Sequence, residues 1–190
     1  GQTQALLAGD ALQALAFELL APEGTAVPEP VQARLCRLLA RAAGAQGMAG
    51  GQAIDLAHVG CGMTEDALRH MHRLKTGALL QASALMGAHC GNAVPAALQA
   101  LADYGAALGL AFQVVDDILD VTQDSATLGK TAGKDAEQGK PTYVSLLGLE
   151  RAQAHAHELL VQALAALDAA ALPDTRALAA LAQMVVNRSH

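Results

Sequence analysis

Tryptophan is absent from this 190-residue chain, and tyrosine and phenylalanine occur twice each. Aromatic and β-branched residues build strands, and their scarcity argues against a sandwich, a barrel or a large α/β sheet. Cysteine is sparse as well: Cys36, Cys61 and Cys90 lie far apart, odd in number and without a CxxC pair. That is no disulfide framework, and it points to a reducing cytoplasm. His70 and His72 are two residues apart and no HExxH occurs, so a zinc site is not expected. An excess of positive charge is also lacking. Twelve Lys and Arg face eighteen Asp and Glu, for a net charge of −6, and no nucleic-acid partner is expected. Gln, Asp, Glu or His interrupts each apolar run, so no membrane span is expected, and no secretory leader is visible. The chain starts at Gly1 and enters a helical pattern at once, which reads as a segment of something longer.

What is present is alanine and leucine, together about 40% of the residues, within a 53% apolar composition. Both are strong helix formers, and a single all-α domain over 1–190 is expected. Helices are predicted over 2–21 and about 30–43, followed by a stretch weakened by Gly44, Gly47, Gly50 and Gly51, with a helical turn at 52–56. Thr64 caps the next helix, which carries Gly77 within it. A long helix is predicted over about 95–121, a polar loop over 122–141, and two further helices over about 142–168 and 174–188, divided by Pro173.

The helix over 95–121 is apolar nearly all round, which marks a buried element. Gln113, Asp116, Asp117 and Asp120 nevertheless stand on it at i, i+3, i+4 and i+7, on one stripe. Buried carboxylates repel one another and are costly to desolvate unless a cation compensates. Either the stripe faces water at a helix end, or it holds a hard divalent cation. Oxygen donors without His or Cys select Mg²⁺ or Mn²⁺, which keeps waters and is shared with phosphates. The stripe therefore points to a phosphorylated substrate. Lys130, Lys134 and Lys140 follow in a Gly-rich segment that could close over phosphate as a lid, or be ordinary loop lysines. Gly129-Lys130-Thr131 imitates the end of a phosphate-binding P-loop, but Asp124 stands at the required upstream glycine and no strand precedes it.

Phe112-Gln113-x-x-Asp116-Asp117-Ile118-Leu119-Asp120, Leu128-Gly129-Lys130 and Gly139-Lys140-Pro141-Thr142 resemble the second aspartate-rich region of the trans-isoprenyl diphosphate synthase (polyprenyl synthetase) family, nearest to its bacterial farnesyl diphosphate synthases. Leu7-Ala8-Gly9-Asp10-Ala11-Leu12, Gly51-Gln52-x-x-Asp55-Leu56 and His72-x-x-Lys75-Thr76-Gly77 occur upstream in the family's order. The resemblance covers essentially the whole chain. It implies a helical bundle of the isoprenoid synthase type, incomplete at the N-terminus, and a homodimer. It further implies Mg²⁺-dependent condensation of an allylic diphosphate, dimethylallyl or geranyl, with isopentenyl diphosphate to a short-chain product such as farnesyl diphosphate.

By the same resemblance Asp116 is the direct metal ligand, with Asp117 and Asp120 direct or through water. Lys75, Lys130 and Lys140 contact the allylic diphosphate, and Thr76 and Gln113 lie near the developing cation. Gly77 is expected to let the helix deform after Thr76 and free a carbonyl towards that cation. Gln52 and Asp55 either support the metal's water shell or cap and pair inside the bundle. Phe112 borders the second substrate in the family, or is simply core. Arg188 either reaches a diphosphate or is a solvated terminal arginine. The family's first aspartate-rich motif and its isopentenyl diphosphate site are not found in these residues, so the chain is expected to be a C-terminal portion that does not turn over alone. Geranylgeranyl or geranyl diphosphate synthase, a terpene cyclase and a non-catalytic helical partner subunit are the alternative readings.

Overall fold

Proline and threonine set where the helices begin. In the computed structural model, which describes residues 1–122 and 140–188, α1 spans Gln2–Leu20 and stops just before Pro22. Pro28 is the N-cap of α2, Glu29–Ala43, and Pro30 lies in its first turn, where a missing N–H costs nothing. The Thr64 hydroxyl accepts from the Ala67 N–H at 3.3 Å to start α4, Glu65–His72. A π-helical turn over Arg73–Gly77 leads directly into α5, Ala78–Cys90. The deformation expected around Gly77 is thus present, as a widened turn that carries both Lys75 and Thr76.

The weakening expected across Gly44–Gly51 does not hold throughout. Helix α3 runs Met48–Ala57 and includes Gly50 and Gly51. Tertiary packing overrides propensity here: a Cβ on Gly51 would lie 2.2 Å from the Lys75 nitrogen, so only glycine lets α3 meet the π-helical turn. The single helix expected over 142–168 is also two. Thr142 and Ser145 form a reciprocal capping pair that starts α7, Tyr143–Leu147. Gly148 then takes φ +82° and breaks the chain before α8, Leu149–Ala169. Helix α9 follows as Arg176–Asn187. The expected lid falls on residues outside those described.

All elements among the described residues are helical. Helix α6, Pro95–Thr122, is the central one, packed most extensively against α8 and α5 and also against α9 and the π-helical turn. Its upper part joins Leu68, Met71, Tyr143, Ala152, Ala156 and Leu159 around Ala111, Val114, Val115 and Leu119. Its lower part packs Leu101, Tyr104 and Leu108 against Ala163, Leu167, Ala182 and Val185. By length and composition α6 could cross a membrane, even though Gln99, Asp103 and Gln113 interrupt its apolar run as expected. More than half of its most apolar stretch is buried inside the fold, which accounts for its hydrophobicity as that of a core helix.

Candidate active site

The upper end of α6, the π-helical turn, α3 and the segment entering α7 enclose a polar cleft of about 190 Å³. Asp55, His72, Lys75, Gln113, Asp116, Asp117, Lys140 and Thr142 contribute to its wall. Residues far apart in sequence, and matched only by motif order, are thereby brought to one place.

The acidic stripe divides its work. Asp116 is half-buried, with 35% of its side chain exposed, and faces the cleft. Asp117 is only 5% exposed, and its Oδ2 accepts the Tyr143 backbone N–H at 2.7 Å. Asp120, one turn further on, is 3% exposed. Burial of Asp117 and Asp120 removes the reading in which the whole stripe faces water. The stripe is not a preformed cage either: among the described residues no group of three or more His, Cys, Asp or Glu side chains converges to hold a metal ion. Adjacent helical residues point about 100° apart, and here that angle sends one carboxylate to the cleft and the next to the start of α7.

On the facing wall, Lys75 Nζ donates to Asp55 Oδ2 at 2.7 Å. Of the two roles open to Asp55, pairing inside the bundle is the one the geometry displays. Gln52 is half-buried on the same helix. The Thr76 hydroxyl donates to Gln113 Oε1 in a short hydrogen bond that ties the π-helical turn to α6. Lys140 is half-buried and lines the cleft. Lys130 and Lys134 lie outside the described residues.

Two features escaped sequence reasoning. Tyr143 is fully buried, stacked on His72 with ring centroids 5.9 Å apart and tilted against His155 at 5.5 Å. Burial pushes its phenol pKa up, opposed by the Arg69 guanidinium nearby. It anchors the start of α7, and its N–H fixes Asp117. The Thr142-x-x-Ser145 capping pair, directly after Pro141, is the signal that could have located it. The second feature is the place Arg188 takes: of the two readings open to it, the solvated terminal arginine is not what the structure displays. Its side chain is 19% exposed and folds back onto α6, with Nη2 3.1 Å from the Phe112 carbonyl oxygen and 3.5 Å from Asp116 Oδ1. Burial lowers its pKa and Asp116 opposes that shift.

Comparison with known proteins gives the family. The polyprenyl synthetase family model matches residues 1–180. The chain is 46% identical to the farnesyl diphosphate synthase of Escherichia coli K12, over all of this chain and 64% of that protein. It is 44% identical to geranylgeranyl pyrophosphate synthase 11 of Arabidopsis thaliana, over 84% of this chain and 46% of that one. The chain thus spans roughly half to two-thirds of the length of such relatives. Among solved structures, an FPP/GFPP synthase from Zymomonas mobilis superposes with a TM-score of 0.80 at 37% identity, covering 96% of this chain and 61% of that one. A geranyltransferase from Helicobacter pylori, complexed with magnesium and isoprenyl diphosphate, superposes with a TM-score of 0.78 at 35% identity, covering 97% and 58%. The helical architecture, the ordered motifs and the match over nearly its full length make this chain a member of the polyprenyl synthetase family.

Proposed function

We propose that the cleft is the allylic-diphosphate half of a prenyltransferase site. The reaction is condensation of dimethylallyl or geranyl diphosphate with isopentenyl diphosphate, giving a short-chain prenyl diphosphate such as farnesyl diphosphate. The observation that carries this reading is the meeting of two cations, Lys75 and Lys140, with the half-exposed carboxylate of Asp116 in one polar cleft. Support also comes from the Helicobacter pylori relative, described with magnesium and isoprenyl diphosphate.

The donor set suits Mg²⁺. That ion usually takes one or two carboxylates and fills its shell with water and phosphate oxygens, so it needs no all-protein cage. Asp116 would hold it, with Asp117 next to it on α6 lining the same cleft. Bound there, the ion supplies positive charge to a departing diphosphate. Lys75 and Lys140 add point charges to the same leaving group in this polar cleft. The Thr76 hydroxyl donates its hydrogen bond to Gln113 Oε1, which leaves the lone pairs of the Thr76 oxygen to face positive charge at an allylic carbon. Helix α1 exposes Leu6, Leu7, Leu12, Leu15 and Leu19 around much of its circumference, apolar surface in keeping with a homodimer.

Titration calorimetry tests the reading. Mg²⁺ and inorganic pyrophosphate should each tighten binding of the other, by reciprocity of coupling. Asp116→Ala should abolish that enhancement while the fold is kept. Coupling that survives in this variant, or none in the parent chain, would overturn the assignment.

A further inference from the structure

Arg188 ends α9 and spans one turn of α6, from Phe112 to Asp116. Its guanidinium carbon sits 4.1 Å from the centre of the Phe112 ring, and Nη2 donates to the Phe112 carbonyl. Stacking and hydrogen bonding hold the head group in place. Its contact with Asp116 is different in quality. The 3.5 Å separation is an open ion pair, against 2.7 Å for Lys75 and Asp55 in the same cleft. A tight charge-assisted bond would close to about 2.7–2.9 Å. Moreover, Arg188 Nε is buried with no hydrogen-bond partner among the described residues. A finished structural lock would not leave a donor orphaned and its ion pair slack.

We infer that Arg188 is a resting counter-cation of Asp116, standing in for the divalent cation and exchanging with it. This rests on the diphosphate reading above. Asp116 is a half-buried carboxylate, and holding its charge there is costly without positive charge beside it. Arginine meets that cost at any working pH, because it keeps its charge. The loose contact keeps the later exchange easy. There is also room for the exchange. Arg188 lines a second cleft of about 220 Å³ between α6, α8 and α9, walled by Val115, Ile118, Leu119 and Val186. Its stem can move there by side-chain torsions alone, with α9 staying packed on α6 and α8.

The exchange makes Arg188 a competitor of the metal rather than a helper. Titration of the 190-residue chain with Mn²⁺ in the presence of inorganic pyrophosphate, read by the electron paramagnetic resonance of free Mn²⁺, gives the affinity directly. Arg188→Gln should bind Mn²⁺ about 10-fold more tightly than the parent, about 1.4 kcal/mol. Arg188→Lys, which keeps a charge, should stay near the parent. An unchanged or weakened affinity in Arg188→Gln overturns the inference while leaving the diphosphate reading intact. No Mn²⁺ binding by the parent chain overturns both. A second measurement needs no folded Gln variant. The Arg188 Nε–H resonance, assigned through Arg188→Lys, should be protected from solvent exchange in the metal-free chain. It should lose that protection on adding Mg²⁺ with pyrophosphate. Retained protection overturns the exchange.

Discussion

Gly109 of α6 lies against Gly77, the last residue of the π-helical turn, so closely that a Cβ on Gly109 would sit 2.6 Å from the Gly77 Cα. One turn along α6, Gln113 accepts the hydrogen bond from Thr76, the neighbour of Gly77. Two backbones in contact therefore set the distance across which the site's polar pair meets. The wide turn and the tight crossing form one feature, because a bulkier crossing would lift Thr76 away from Gln113.

Gly109→Ala should accordingly destabilise the fold by about 1–3 kcal/mol, the usual cost of forcing extra volume into a packed contact. For a chain of this length each kcal/mol lowers the melting temperature by about 2–4 °C. Gly87→Ala is the control. Gly87 is exposed on α5, and a Cβ there meets nothing within 4 Å. It should stabilise by about 0.5–1 kcal/mol through helix propensity alone. Calorimetric melting of both variants decides the matter, and equal shifts would show that the crossing has slack.

Much of this arrangement is legible in residue order, and the remainder depends on long-range packing. The buried nature of α6 follows from its apolar surround, and the start of α4 follows from Thr64 with Glu65 and Asp66 behind it. The turn at Gly77 was foreseeable from a glycine inside a helix beside reactive-looking neighbours. The separate tasks of Asp116 and Asp117 were not. Asp117 is defined by an N–H arriving from Tyr143, 26 residues on, and no local pattern announces that bond. Helix α3 passes through two adjacent glycines because the Lys75 backbone presses on one of them, a contact local propensity cannot register. Arg188 resembles any arginine near the end of a chain until α9 is laid beside α6 and its head group reaches Phe112.

Alkaline pH offers a test of the core around the site. Tyr104 and Tyr143 are both fully buried, and burial raises the pKa of each above the ordinary value of 10.0. The neutral phenol is favoured in the folded state, so this stabilisation is complete below pH 10. It is lost as pH rises from there through the raised folded values. Tyrosinate absorbance should therefore appear together with loss of helical circular dichroism. The chain has no Trp and only two Tyr, so the optical signal belongs to these residues. Tyrosinate forming while the helices persist would mean that the rings are accessible. Tyr104→Phe also removes the hydroxyl that donates to the Leu178 carbonyl at 2.8 Å, and should lower stability at neutral pH by about 1 kcal/mol.

The Lys75–Asp55 pair connects the resting structure to the proposed chemistry. In the ligand-free chain Lys75 is committed to Asp55 at 2.7 Å, with side-chain exposures of 31% and 11%. A diphosphate entering the cleft carries more negative charge than one carboxylate, and Lys75 should turn towards it. Strength of the Lys75–Asp55 interaction should therefore depend on the ligand. A double-mutant cycle with Lys75→Met, Asp55→Asn and the double variant measures this directly. Denaturation without ligand should give a coupling of about 1 kcal/mol, in the range for partly exposed pairs. With saturating Mg²⁺ and pyrophosphate the coupling should shrink towards zero. Lys75→Met should also weaken pyrophosphate binding about 10-fold or more, and Asp55→Asn should weaken it less, because the lysine itself is retained. A coupling that ligand leaves unchanged would make Lys75 a structural partner of α3 alone. The phosphate contact would then have to come from Lys140 and from residues beyond those described.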